Sequence, residues 1–169
     1  GARETLPVIT TNGDTPLLLA CLSGLGDVAM AMLELDATAC TVETVNMCKY
    51  TALHWACDKG LANVALQLLG CEGARNALAV VNSIGYTPLL LACRRGLGDV
   101  AMAMLELDAT ACTVEAMDRY KGTALHWACV KGLAGVALRL LRCEGARETL
   151  PVITTNGDTP LLLACLSGL

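Results

Sequence analysis

The residues able to do chemistry are few in kind and regular in spacing. Two histidines, His54 and His126, stand 72 residues apart, each followed directly by a tryptophan, Trp55 and Trp127. The chain also holds ten cysteines. Cysteine with histidine could hold zinc, a thiol beside an imidazole could form a nucleophile–base pair, and an even number of cysteines could form disulfides. The spacing argues against each. No C-x-x-C pair exists, so a structural zinc site is not expected. The two histidines occupy equivalent places, and the places between and beside them carry Leu18, Leu90 and Leu162. No base–nucleophile pair is assembled. Trp55 and Trp127 could be stacking platforms, but they stand where Leu19 and Leu91 stand elsewhere and read as filling between units. Catalytic residues, metal ligands and cofactor-binding residues are therefore all expected to be none.

That regularity is a period. TPLLLAC stands at Thr15, Thr87 and Thr159, and TALHWAC at Thr51 and Thr123, each 36 residues from the next. Residues 1–25 recur unchanged at 145–169. A period of 20–50 residues marks a repeat architecture. The chain reads as one array of alternating L-type (TPLLLAC) and H-type (TALHWAC) units. Residues 1–9 are the end of a preceding unit and 10–45 an L-type unit. An H-type unit spans 46–81, an L-type unit 82–117 and an H-type unit 118–153. Residues 154–169 are a partial L-type unit. The chain reads as a window cut from a longer array, since it lacks an initiator Met and a polar capping unit.

Each unit predicts two helices. Thr15 can cap the first with its hydroxyl, Pro16 suits its first position, and Gly24 suits a left-handed ending. Asp27, Asn63, Asp99 and Gly135 are preferred N-cap types for the second. Gly13, Gly85 and Gly157, two residues before Thr, suit a tight turn. Cys21, Cys57, Cys93, Cys129 and Cys165 end the motif, one per unit. Units stack about one helix diameter apart, ~10 Å, and a disulfide needs Cα atoms within ~7 Å. These five read as reduced, buried small hydrophobes. Cys40, Cys48, Cys71, Cys112 and Cys143 lie in connectors, where a disulfide is left open.

Helix, turn, helix and a turn-bearing connector, with TALHWAC and TPLLLAC recurring in register, resemble the ankyrin repeat and its T-P-L-H-x-A core. The resemblance covers the whole chain. It implies an all-α solenoid of stacked helix pairs with protruding β-turn fingers, and a concave face made by fingers and first helices. It also implies a structural role for His54 and His126, tied to Thr51 and Thr123. Two features depart from the family: the unit has 36 residues instead of 33, and Leu replaces His in the L-type units.

Composition narrows function further. Formal net charge is −4, with no basic footprint for nucleic acid. The longest apolar runs, such as Pro16–Leu22, fall short of the ~18 residues of a membrane span. No signal peptide is visible, and the compartment stays open. Counted with glycine and without tyrosine, the apolar share is about 62%, against 45–50% in ordinary domains. An elongated array should be more polar than average, so something is expected to cover it.

The internal copies suggest what is covered. Residues 15–86 and 87–158 agree at 52 of 72 positions. Differences cluster after the first helix and in the fingers, mapping a concave and finger surface of Leu22, Ser23, Cys48, Tyr50, Asp58, Lys59, Tyr86, Arg94, Arg95, Arg119, Tyr120, Val130 and Lys131. The L-type second helices do not differ, and Val28-Ala-Met-Ala-Met-Leu33 is apolar all round, as in a helix buried on every side. Val28, Met30, Ala31 and Met32, with Val100, Met102, Ala103 and Met104, are therefore expected to be a lateral self-association surface. The first functional expectation is a structural, self-associating array, possibly filamentous. The alternative is an adaptor binding a partner protein on the concave face, without nucleic acid or membrane.

Overall fold

The computed structural model describes residues 9–35 and 42–168. The expectations for residues 1–8 and Cys40 lie outside the described residues. First helices of the units are α1 (Pro16–Leu22), α3 (Ala52–Asp58), α6 (Pro88–Arg95), α8 (Ala124–Val130) and α11 (Pro160–Ser167). Second helices are α2 (Gly26–Leu35), α4 (Ala62–Leu69), α7 (Gly98–Asp108) and α9 (Ala134–Leu140). Two short helices, α5 (Ala74–Leu78) and α10 (Ala146–Thr149), follow the H-type second helices.

First helices pack one on the next, α1 on α3, α3 on α6, α6 on α8 and α8 on α11. Second helices form a parallel outer layer, α2 on α4, α4 on α7 and α7 on α9. The core runs continuously between the layers through Leu53, Leu68, Leu89, Leu90, Met104 and Leu105, all essentially sealed from water. No strand occurs among the described residues beyond an isolated bridge between Met117 and Thr123.

Local chemistry fixes the helix ends. Thr15, Thr51, Thr87, Thr123 and Thr159 each lie in extended backbone and accept a hydrogen bond from the N–H three residues on. This satisfies one of the orphan donors of the first turn. Proline takes the first turn of α1, α6 and α11, where its missing N–H costs nothing. Gly24 has φ +72° and ends α1 as expected.

Four expectations need correction. Asp27, Asn63, Asp99 and Gly135 are not N-caps. The second helices begin two residues earlier than those caps would place them, after Leu61, Leu97 and Leu133 in three of them, and these leucines offer no side-chain bond. The tight turn Lys59-Gly60-Leu61 forces this, because the N–H of Leu61 still bonds the carbonyl of Ala56. Asp27 and Asp99 sit in the first turn, where the helix dipole favours them. The connector after an H-type helix is also not plain turn: Gly73 and Gly145, at φ +82° and +81°, lead into α5 and α10. Ala74, Ala77 and Leu78 are buried beneath that turn.

The third correction concerns the outer surface. Val100 and Met104 are 0% exposed and belong to the core, so they offer nothing to another molecule. Helix α7 packs on α4, α6 and α9 at once, which explains its apolar breadth without an outside partner. Its exposed positions are Asp99 and Glu106. Met102 and Ala103 are half-buried; in α2, Val28 and Ala31 are exposed while Met30 and Met32 are half-buried. The fourth correction is Cys165, which is exposed because no second helix of the described chain lies behind α11. Cys21, Cys57, Cys93 and Cys129 are buried and form no disulfide, and the same holds for the connector residue Cys112.

Between the helix pairs stand the fingers, at 10–14, 46–50, 82–86, 118–122 and 154–158. Each closes on its own backbone, as where Asn82 N–H donates to the carbonyl of Tyr86 at 3.0 Å. Three of the four adjacent finger pairs are joined by a single main-chain bond: Met47 N–H to Asn12 O at 2.9 Å, Ser83 N–H to Cys48 O at 3.0 Å, and Thr155 N–H to Tyr120 O at 3.0 Å. The turn needs a left-handed residue. Glycine supplies it in L-type fingers, but Lys49 and Lys121 adopt φ +58° and +61° in the H-type fingers. A side chain there costs about 1–2 kcal/mol. Lys121→Gly should therefore raise stability by about 0.5–1 kcal/mol after the entropy of the unfolded glycine is counted. The converse, Gly85→Ala, should lower it by about 1–2 kcal/mol, since the added Cβ would stand 3.0 Å from the carbonyl oxygen of Met117. Urea unfolding of the two variants measures both signs.

Candidate functional site

The histidines are built into the fold. The Thr51 N–H donates to His54 Nδ1 at 3.2 Å, and the Thr51 hydroxyl lies 2.8 Å from the same nitrogen. A backbone N–H can only donate, so Nδ1 accepts and the ring proton is on Nε2. That Nε2–H donates to the carbonyl of Tyr86 in the next finger at 3.2 Å. His126 repeats the arrangement with Thr123 and the carbonyl of Val152 at 3.1 Å. Both nitrogens are spent and the rings are buried, so neither imidazole reaches a substrate. Burial disfavours the charged ring and holds His54 down at about 4, and it lowers His126 as well.

The thiols are equally withdrawn. Burial pushes Cys93 up to about 12 and raises Cys57 and Cys129, so none is a nucleophile at neutral pH. The described connector cysteines Cys48, Cys71, Cys112 and Cys143 are unpaired thiols. Among the described residues no three His, Cys, Asp or Glu side chains converge as a metal set. No described helix is long and apolar enough to cross a membrane.

What remains is the face formed by the fingers and the ends of the first helices. Tyr50 and Trp55 stack with centroids 4.2 Å apart and planes 15° from parallel. The Lys59 ammonium lies 5.8 Å from the Trp55 ring. In the next unit Arg94 lies over the Tyr86 ring at 4.8 Å and donates to its hydroxyl at 2.9 Å. Arg94 and Arg95 both donate to the same Asp58 oxygen at 3.0 Å. Tyr86 is only 4% exposed, so it is a floor beneath Arg94 and not the surface residue expected. Leu22 and Asp58 are half-buried here, and Ser23, Cys48, Val130 and Lys131 are exposed.

Around Trp127 the same face opens into a groove of about 370 Å³. Tyr120, Trp127, Val130 and Leu163 give its apolar walls, and Asp118, Thr154, Asn156 and Asp158 its polar rim. Arg119 lies over the Tyr120 ring at 4.7 Å. Asp118, which the sequence reading passed over, organises the site. One oxygen accepts from the N–H groups of Tyr120 and Gly122, both at 2.8 Å, and the other from Trp127 Nε1 at 3.0 Å. The signal was available: Asp118 replaces Asn46 between the copies. Asn46 instead reaches back to Asp14 at 2.8 Å, and Trp55 Nε1 finds no partner in the chain. Both tryptophans are half-buried walls of this face as well as packing between units.

A second, more apolar groove of about 280 Å³ lies between α9 and α11, lined by Leu125, Leu138 and Leu161. The matching face over α4 and α6 is covered by α7.

Residues 3–78 match the family model for ankyrin repeats, in three copies. Among curated proteins nothing matches the chain.

The buried histidines make stability depend on pH. Their folded pKa lies below the unfolded value, so the unfolded chain takes up protons first as pH falls. Stability should be full above about pH 6.5 and fall as pH drops towards 4. For His54 the loss is at most roughly 3 kcal/mol. His54→Leu with His126→Leu, which copies the L-type unit, should flatten the fall in melting temperature between pH 7 and pH 5. An unchanged slope would show that other groups carry it.

Proposed function

We propose that the chain, whose residues 3–78 match the family model for ankyrin repeats, is a non-enzymatic protein-interaction scaffold whose finger-side face takes a partner protein. The observation that carries this reading is the groove at Trp127. It combines an apolar wall of Trp127, Tyr120 and Leu163 with a polar rim. Such a mixture of aromatic anchors and hydrogen-bonding groups is how interfaces concentrate their energy. The fingers on either side, joined by a main-chain bond from Thr155 to Tyr120, shape the groove in the free chain, which lowers the ordering cost of binding. The sites where the internal copies differ, Arg94-Arg95 and 116–120, border the same face.

A second reading, lateral self-association into a filament or tube, draws on one row of the outer layer. Met30, Leu66, Met102 and Leu138 occupy equivalent places in four successive units. Leu66 and Leu138 are 40% and 60% exposed, and the two methionines are half-buried. The acids Asp99 and Glu106 on the same surface work against close packing of like faces.

Peptides selected from a random display library against the immobilised chain should, on binding, slow amide exchange in fingers 118–122 and 154–158 and at the ends of α6 and α8. Trp127→Ala should weaken them roughly tenfold or more, as for a central anchor. Protection confined to α4, α7 and α9 would move the site to the outer face. For self-association, sedimentation at rising concentration decides: a monomer throughout removes the second reading, and assembly lost in Leu66→Glu with Leu138→Glu supports it.

A further inference from the structure

Equivalent residues of successive units stand in rows along the stack, and one row is positive. Lys59, Arg95 and Lys131 hold the same place, at the C-terminal ends of α3, α6 and α8. All three are exposed. Each sits where the negative end of a helix favours a cation. Because α3 stacks on α6 and α6 on α8, the rungs repeat at the distance of packed helices, ~8–10 Å.

The face around this row has little negative charge to offer. Asp14 and Asp118 are buried and their oxygens are engaged, Asp14 by Thr10 and by Asn46 of the next finger, Asp118 by Tyr120, Gly122 and Trp127. Asp58 is shared by two guanidiniums, which leaves that group with a net positive charge. Asp158 is half-buried at one end. The outer helices expose Asp27, Glu34, Asp99 and Glu106 against two arginines at α9, the half-buried Arg139 and the exposed Arg142. A chain of formal charge −4 thus presents a positive finger side and a negative back, an asymmetry that orients an acidic partner towards one face.

We propose that this row docks an acidic segment of a partner protein in polyproline-II conformation, with a carboxylate at every third residue. The spacing selects the conformation. A polyproline-II chain has three residues per turn and rises ~3.1 Å per residue, so residues i, i+3 and i+6 fall on one side, ~9 Å apart. In a β-strand, side chains on one face come ~6.6 or ~13 Å apart and miss the rungs. The aromatic groove of Tyr120 and Trp127 beside Lys131 is the kind of surface that takes the intervening prolines or small apolar residues of such a segment. The proposal rests on the finger-side reading above and adds the partner's chemistry.

The probe is a fluorescein-labelled peptide of repeated Glu-Pro-Ser, compared with one of the same composition whose glutamates are consecutive, an Ala-rich helical peptide with Glu at every seventh residue, and oligothymidylate. Fluorescence anisotropy at low and high salt reads the affinity. The repeated peptide should bind best and weaken steeply with salt. Lys59→Gln with Arg95→Gln and Lys131→Gln should cost roughly tenfold to a hundredfold, three exposed pairs lost together. Arg139→Gln with Arg142→Gln, on the outer side, should change affinity less than about twofold. Circular dichroism confirms that both variants fold. The proposal is overturned if the repeated peptide does not bind, if the triple variant binds it as well as the parent does, or if the scrambled peptide, the helical peptide or the oligonucleotide binds equally. Display-selected peptides that still protect the Trp127 groove, while the Glu-Pro-Ser peptide fails, would leave the finger-side scaffold standing and remove the acidic row alone.

Discussion

The distance from one unit to the next is set by small side chains. Where the first helices meet, Ala56, Ala92 and Ala128 are fully buried, and Cys57 and Cys93 beside them are sealed as well. Nothing larger fits there without forcing helices apart, at a cost of about 1–3 kcal/mol for each overpacked site. The finger bonds inherit this spacing. Ser83 reaches Cys48, and Thr155 reaches Tyr120, only because the helices beneath them are held at one step. The same step brings His54 Nε2 to the carbonyl of Tyr86, 32 residues away. A one-residue choice at the helix contact thus fixes hydrogen bonds, groove width and the spacing of surface charges together.

That contact also explains why the cysteines need no chemistry. A thiol is a small, weakly polar filler, and in this chain it is held too deep to ionise. The two solutions for the residue at the third helical position are alike in logic. Histidine spends both nitrogens within the array, whereas Leu18 and Leu90 avoid the need by offering no polar group. Either way no buried donor is left over at that place, which is the condition a tightly packed array must meet.

The first helices, their threonine caps and the finger turns were legible in the sequence because each rests on local chemistry repeated along the chain. Threonine hydroxyls cap the first helix of every unit, and proline takes its first turn in the L-type units. The outer surface was not legible. An apolar circumference was read as a sign of outside cover, but a second helix in a stack has three neighbours, so Val100, Ala101, Met104 and Leu105 all point inward. Periodicity along one helix cannot count its neighbours. The finger site was half legible. Its charges and aromatics stood out between the copies, while the role of Asp118 depended on a bond to Trp127 that only the folded finger creates.

The two copies share their skeleton and differ in where they place charge. At the end of α1 and of α11 stand Leu22-Ser23 and Leu166-Ser167, and only α6 between them carries Arg94-Arg95. The H-type neighbours keep Lys59 and Lys131 unchanged while Asp58 gives way to Val130. Positive charge is therefore densest in the middle of the finger side and fades to serine at both ends. Stacking does not require this pattern, because these positions lie on helix ends outside the core. Asp58 lies on the α3 side of Arg94 and Arg95 and binds both, whereas on the α8 side the matching place is Val130 and Lys131 stays exposed. An acid therefore meets a more positive surface at α6 and α8 than at α3, and that bias leads towards the groove walled by Trp127. The asymmetry gives an extended partner a direction along an otherwise repetitive surface.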